Sequence, residues 1–238
     1  MPRHASYVPH GVISAVLLPF DNDFAIDEAS FRKHLRDVAA VEGLSAITIN
    51  AHSTEVASCT FDEQRRVLEI AQDEVGTRLP LINGVWADGS MEAARIARMA
   101  AQGGASALLV FPPAPFTLGQ SPAMTLAHFR RIADATDLPL IVFQYPLSTG
   151  QGYPKETLLK LCEEIPSIRA IKDWIGQRTA PRLAHPHAAE PSKACKCAYD
   201  AQFMAFLFVG ARLQRIAVGI RQRHPRLAGE IIPRRTAE

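Results

Sequence analysis

The sequence predicts an α/β fold, a (β/α)8 TIM barrel whose C-terminal βα units are irregular. Apolar runs of five to seven residues alternate with amphipathic helical patterns up to about residue 176. These runs recur roughly every 30 residues, which is the period of a βα unit. Each run is apolar at nearly every position, so both of its faces must be covered, as in a parallel sheet with helices outside.

Six strands and five helices follow from this alternation. The predicted strands are Val12–Leu18, Ala46–Ala51, Leu79–Gly84, Ala107–Phe111, Pro139–Tyr145 and Ile168–Lys172. The predicted helices are Glu28–Val41, Phe61–Val75, Met91–Gln102, Met124–Thr136 and Lys155–Ile165. Thr60 and Glu63 have the spacing of a capping box before the second helix, Ser90 suits the N-cap of the third, and Pro154 suits the first turn of the fifth.

Repeated βα units leave two architectures, an open doubly wound sheet or a closed barrel. A dinucleotide-binding sheet would carry G-x-G-x-x-G after its first strand. The sequence has Pro-Phe-Asp-Asn-Asp at 19–23 instead. The barrel is therefore favoured.

The chain beyond Gly176 has a different character. Residues 177–198 contain prolines, histidines and cysteines without a clear period. After them we expect a seventh strand near Ala194–Tyr199, a helix within Asp200–Gly210, an eighth strand at Arg215–Ile220 and a helix starting at Pro225. We expect one domain over residues 1–238, regular over about 11–176 and atypical over 177–238, and the sequence leaves open whether the barrel closes.

Composition limits the classes of partner. The 238 residues are 47% hydrophobic and 21% charged, with a net charge of +2. A balance so close to neutral does not favour a nucleic-acid partner, and no apolar stretch is long enough to span a membrane. We expect a cytoplasmic protein.

His185, His187, Cys195 and Cys197 do not have the spacing of a structural zinc site, so we expect no metal, and no motif indicates a cofactor.

Candidate site residues lie where predicted strands end, because barrel enzymes carry their chemistry at the carboxyl ends of the strands. The second strand ends at Asn50 and leads into the polar loop His52-Ser53-Thr54-Glu55. The sixth strand ends at Lys172. A lysine at that depth is costly to keep charged, and a neutral amine is a nucleophile towards ketone carbonyls. Lys172 is therefore a candidate for Schiff-base formation.

Several segments in order along the chain resemble one family. They are Gly11–Phe20, the Ala51–Glu55 loop with Thr60-Phe-Asp-Glu-Gln after it, Ile82–Val85, Gly104–Pro113, Gln144–Gly150 and Ala170–Asp173. In this pattern and order they resemble the dihydrodipicolinate synthase and N-acetylneuraminate lyase family, class I aldolase-type barrels that bind a 2-oxo acid, typically pyruvate, as an imine. The resemblance implies that Lys172 forms the imine and that Ser53, with Thr54 and nearby amides, holds the substrate carboxylate. It also implies a homo-oligomer, commonly a tetramer.

The chain departs from this family at the residues of the synthase proton relay. His52 stands where the family's loop has its first threonine, and Phe143 replaces the tyrosine that ends the fifth strand. Pro113 and Ala114 replace the paired tyrosines after the fourth strand, and Ser148 replaces an arginine. We therefore expect something other than a typical dihydrodipicolinate synthase. His52, a competent acid or base, and Tyr145, on the same face as Phe143, are the candidates that compensate.

Two functions remain open from the sequence. The first is a lyase that acts on a pyruvate-type 2-oxo acid through Lys172, with His52 and Tyr145 as catalytic groups and Ser53, Thr54 and Phe143 around the substrate. Its reaction is an aldol cleavage or condensation, or a dehydration. The second is an inactive or truncated relic of the family that at most binds 2-oxo acids, because the irregular end could leave an open sheet edge. The sequence does not reveal the second substrate.

Overall fold

Six parallel strands and five helices form the regular part of the fold. The computed structural model describes residues 4, 6–174, 204–208 and 215–218, the last two segments by their backbone alone. The parallel strands are β1 Val12–Ala15, β2 Leu44–Ile49, β3 Leu81–Val85, β4 Ala107–Val110, β5 Leu140–Gln144 and β6 Ile168–Trp174. The helices are α1 Glu28–Ala39, α2 Phe61–Val75, α3 Ser90–Gln102, α4 Pro122–Ala133 and α5 Lys155–Glu164. All eleven lie at the positions that the hydrophobic periodicity predicts.

The strands pair in chain order, each parallel to the one before it. This order is that of a barrel wall and not of a doubly wound sheet, whose strand order reverses at a switch point. Strands β1 to β6 make a curled sheet, a half-barrel, with the helices on its outer side.

Two further strands depart from the expected repeat. Strands β7 Met204–Phe208 and β8 Arg215–Val218 extend the sheet, but β7 is antiparallel to β6 and β8 is antiparallel to β7. The helix expected within Asp200–Gly210 is therefore wrong, since a short apolar run there pairs as a strand and periodicity alone cannot separate the two. The eighth strand is found near its expected position, whereas Ala194–Tyr199 and the helix expected from Pro225 lie outside the described residues. In the described part, the regular (β/α)8 pattern holds for five complete βα units and a sixth strand.

The sheet separates two layers of buried side chains. The outer layer, between sheet and helices, includes Phe31, Leu35, Val67, Ile96 and Phe129. The inner layer, on the concave side, includes Ile13, Ile82, Leu109, Phe143 and Ala170. Since successive side chains of a strand point to opposite faces, one apolar run supplies both layers.

Local capping chemistry sets where the helices begin. The Thr60 hydroxyl accepts a hydrogen bond from the Glu63 amide, and the Glu63 carboxylate accepts bonds from the Thr60 amide and hydroxyl, which confirms the predicted capping box. Ser121 caps α4. The expected N-cap at Ser90 is wrong: Gly89 takes that position, and the Ser90 hydroxyl bonds the ring of His128 instead. Within the described residues, every helix is too short or too polar to cross a lipid bilayer.

Candidate active site

The carboxyl ends of β2, β5 and β6 bring the predicted site residues together. Strand β5 places Phe143 beside Lys172 of β6, because these two residues are register partners. The loop after β2 carries His52 over the concave side of the sheet, where its ring contacts those of Phe143 and Tyr145. The structure thus gathers Lys172, His52, Phe143 and Tyr145 at one end of the half-barrel.

Lys172 is buried, with 3% of its surface exposed. Its ammonium nitrogen lies 5.0 Å from the centroid of the Phe143 ring. Burial disfavours the charged form and lowers the pKa of Lys172 from 10.5 to about 7. A substantial fraction of this amine is therefore neutral, and nucleophilic, near neutral pH.

His52 lies at the mouth of the site with its ring among other rings. Its centroid is 4.6 Å from that of Phe111 and 5.0 Å from that of Trp86, both in edge-on contacts. Desolvation, with a smaller contribution from the charge of Lys172, lowers the pKa of His52 to about 4. The imidazole is thus neutral at pH 7, and one of its ring nitrogens can accept a hydrogen bond.

Tyr145 forms a hydrogen bond with His52, between its hydroxyl and Nε2 of the ring, with a direction that depends on the tautomer. Tyr145 is buried, and this burial raises the pKa of its hydroxyl, so the phenol keeps its proton at neutral pH. The expected position beside Phe143 is observed, with ring centroids 5.0 Å apart. His52 and Tyr145 therefore form a connected pair that can pass a proton.

The loop after β2 is held by its own backbone. Asn50 and Glu55 both have positive φ, 49° and 52°, a conformation that glycine adopts more readily. The Thr54 hydroxyl accepts a bond of 2.6 Å from the Ala51 amide and donates one of 2.9 Å to the Ala51 carbonyl. Its proton is thus engaged within the loop. Ser53 is half-buried. The binding of a substrate carboxylate by Ser53 and Thr54 stays a prediction.

A buried amide pair beneath this loop was not among the predicted site residues. The side-chain amide of Asn50 donates to the Gln64 carbonyl and to the side-chain oxygen of Asn83, at 2.9 and 2.8 Å. A Cβ at Gly84 would lie 1.7 Å from the Asn50 carbonyl oxygen, so only glycine fits there. An asparagine and a glycine inside an otherwise apolar strand were the signal in the sequence.

Three further aromatic side chains at the site were also missed. Trp86 and Phe111 stand after β3 and β4 and touch each other and His52, whereas Trp174 ends β6 and lies 5.4 Å from Tyr145. Phe111 ends a predicted strand, and Trp86 and Trp174 each come two residues after one, which is the signal that could have found them. We call His52, Trp86, Phe111, Phe143, Tyr145 and Trp174 the aromatic cluster.

Comparison with known proteins identifies the family. The family model described as dihydrodipicolinate synthetase family matches residues 8–217. The chain belongs to this family. The similar sequences of this family include a 4-hydroxy-tetrahydrodipicolinate synthase of Salinibacter ruber, 35% identical over 74% of this chain and 58% of that protein. They also include an uncharacterized DapA-like lyase of Halobacterium salinarum, 34% identical over the same shares. The chain matches little more than half the length of these relatives.

Solved structures of the family share the fold. A dihydrodipicolinate synthase from Agrobacterium tumefaciens is 30% identical, has a TM-score of 0.62, and is matched over 68% of this chain and 54% of its own. YagE, a prophage protein of Escherichia coli K12 solved in complex with pyruvate, is 24% identical, with a TM-score of 0.62 over 70% of this chain and 55% of its own. The half-barrel therefore corresponds to part of the TIM barrel of this family.

A metal site was the other kind of site considered from the sequence. The candidate metal ligands His185, His187, Cys195 and Cys197 lie outside the described residues. Among the residues that are described, no group of three or more histidine, cysteine, aspartate or glutamate side chains is placed to hold a metal ion.

Proposed function

We propose that the chain is a class I aldolase-type lyase in which Lys172 forms a Schiff base with a pyruvate-type 2-oxo acid. One observation carries the proposal: the Lys172 amine is buried at the carboxyl end of β6, where desolvation lowers its pKa to about 7. Family membership supports it, since the named relatives are synthases and lyases. A nucleophilic amine and a neutral imidazole at the same end of the half-barrel match the needs of imine chemistry.

The proposed reaction conserves atoms and charge and needs no cofactor. The Lys172 nitrogen attacks the ketone carbon, and loss of one water gives an imine. Loss of a proton from the neighbouring carbon gives an enamine, whose carbon attacks an aldehyde and forms the new C–C bond, while the aldehyde oxygen takes up a proton. One water then hydrolyses the imine and releases a 4-hydroxy-2-oxo acid. Cleavage is the reverse, and loss of the 4-hydroxyl as water would be the dehydration.

Borohydride trapping tests the imine directly. Incubation with pyruvate and borohydride should add one reduced pyruvate unit to the wild-type chain, at Lys172 by peptide mass spectrometry. Lys172→Ala should remove the adduct, whereas Lys160→Ala, at an exposed lysine of α5, should keep it. An adduct that survives in Lys172→Ala would mean that another amine reacts and would overturn the proposal.

The roles of His52 and Tyr145 are proposed as proton transfer. Their hydrogen bond joins a neutral acceptor to a phenol that keeps its proton. General acid–base groups contribute about 10²–10⁴-fold to rate. His52→Ala should lower turnover by at least about 100-fold while pyruvate trapping persists. Full turnover in this variant, measured by pyruvate formation, would remove His52 from the mechanism.

The second candidate function is an inactive or truncated relic of the family that at most binds 2-oxo acids and does not turn them over. The antiparallel pairing of β6, β7 and β8 favours it, because the family's barrel continues with parallel βα units. A cooperative thermal melt together with trapping at Lys172 and measurable turnover would support the lyase. A well-folded sample that pyruvate and borohydride leave unlabelled would support the relic.

A further inference from the structure

The loop that carries His52 is joined to the body of the fold by side-chain amides. Asn50, where the loop leaves β2, donates from its amide nitrogen to the main-chain oxygen of Gln64 in α2 and to the side-chain oxygen of Asn83 in β3, at 2.9 and 2.8 Å. Gln64 in turn donates from its side chain to the Cys59 carbonyl, 3.1 Å away at the far end of the loop. We call Asn50, Gln64 and Asn83 the amide clamp. It holds both ends of the loop.

The clamp is buried, and its hydrogen bonds fix the direction in which each amide faces. Asn50, Gln64 and Asn83 are 1%, 6% and 0% exposed. The amide nitrogen of Asn83 donates to the Gly84 carbonyl at 2.7 Å, so its oxygen is turned towards Asn50. Each amide nitrogen thus lies on a carbonyl oxygen, and turning an amide over would set oxygen against oxygen. The donor of Asn50, and not its size alone, therefore joins the loop to the sheet and the helix.

Beyond the clamp, the loop is closed by its own hydrogen bonds. The Thr54 hydroxyl bonds both main-chain groups of Ala51, and the Glu55 amide donates to the His52 carbonyl. The direction in which this closed turn leaves β2 therefore sets the place of the His52 ring. Asn50 has a φ of 49° at that point, which asparagine tolerates and glycine adopts more readily. A glycine would serve the backbone equally well, whereas the two bonds of the amide need asparagine.

We propose that Asn50 is a positioning residue, which acts through the amide clamp to hold the ring of His52 against Tyr145. The centroid of this ring lies 5.0 Å from that of Trp86 and 4.6 Å from that of Phe111, and its Nε2 bonds the Tyr145 hydroxyl. A displacement of about 1 Å takes a hydrogen bond out of its range of distances. The consequence for proton transfer rests on the proposed function, whereas the position of the ring does not.

Asn50→Gly separates the amide from the backbone conformation, because glycine keeps the positive φ and removes the side chain. In nuclear magnetic resonance spectra of the full chain, the nuclear Overhauser signal between the rings of His52 and Trp86 should be lost in this variant. The His52 signals are identified by their absence in His52→Ala. The ring should stay neutral between about pH 5 and pH 7 in the wild type and should titrate there in Asn50→Gly, since a ring released to solvent regains its ordinary pKa.

A second variant reaches the clamp from the sheet. Asn83→Leu removes the side-chain acceptor of Asn50 without altering the backbone of the loop, and it should also weaken the His52 contact. Asn22→Gly, the same substitution as in the first variant but in an exposed turn, should leave the His52 signals unchanged. Neither measurement needs a substrate, so a failure of pyruvate trapping would overturn the proposed function and leave the clamp standing.

The buried ring of His128, on the other side of the sheet, serves as the reference for global folding. Loss of the contact between His52 and Trp86 with unchanged His128 signals would support the proposal. A contact that persists in Asn50→Gly or in Asn83→Leu would overturn it. Signals of His128 that change together with those of His52 would mean that the amides support the whole fold and not the loop, which would overturn it as well.

Discussion

The outer and inner layers of the sheet are built from the same strands but serve different ends. The outer layer is mainly aliphatic and packs the five helices against the sheet. The inner layer turns aromatic towards the carboxyl ends of the strands, where its rings lie against the buried Lys172 amine and the imidazole of His52. Burial that stabilises the outer layer destabilises the charged form of Lys172 in the inner one. The packing that stabilises the fold and the burial that lowers the pKa of Lys172 thus lie on opposite faces of one sheet.

The largest change in the free energy of unfolding is expected from a substitution in the outer layer. Phe129 is fully buried on α4 and contacts the Tyr153 ring. Phe129→Ala should lower the free energy of unfolding by about 3–5 kcal/mol, because it leaves a cavity. Chemical denaturation measures this loss. The fraction that remains folded should still be trapped by pyruvate, and a loss of trapping in folded protein would mean that the two layers are not independent.

Replacing the buried amine of Lys172 should instead raise the free energy of unfolding. The pKa of Lys172 is lowered in the folded chain, so the unfolded chain binds more protons between pH 7 and 10.5, and stability rises with pH over that window. Lys172→Met should abolish trapping and, at pH 7, raise the free energy of unfolding by roughly 2–4 kcal/mol.

The pH dependence separates this effect from packing. The advantage of Lys172→Met over the wild type should shrink between pH 7 and 10.5 as the unfolded lysine loses its proton. An advantage that stays constant over that range would show that the amine costs nothing by desolvation.

A smaller effect is expected at a buried histidine of the outer side. His128 bonds Ser90 between α3 and α4, and desolvation lowers its pKa to about 4. The unfolded ring binds a proton near pH 6.5, so stability falls as the pH drops from 6.5 to 4, by roughly 2–3 kcal/mol from this group. His128→Gln should weaken that fall in denaturation curves recorded across the range, and an identical pH profile would contradict the prediction.

The smallest change in the free energy of unfolding is expected at the N-terminus of α2. Thr60→Ala removes the side-chain half of the capping box at α2 and should cost about 1 kcal/mol of unfolding free energy. Ser58→Ala, in the neighbouring exposed turn, is the matched control and should change stability by less. A thermal melt of the two variants measures the difference.

Periodicity predicted most of the half-barrel because a strand buried on both faces and a helix buried on one leave different apolar patterns. It failed at Met204–Phe208, where a short apolar run is compatible with either element. The sequence also predicted that Lys172 ends a strand, and that Phe143 and Tyr145, two residues apart on one strand, share a face. The missed residues, Trp86, Phe111 and Trp174, come from three separate strand ends, so their proximity depends on how the sheet curls.

By itself, the sequence determined the alternation of strands and helices, the parallel order of the first six strands and the position of one lysine at the end of the sixth, because these depend on periods of a few residues. Only the tertiary structure decided that β7 and β8 run antiparallel, that His52 meets Tyr145, and that six rings gather at the carboxyl ends of the strands. Such contacts join residues far apart in the chain, and the curvature of the sheet, which no local pattern records, brings them within reach of one another.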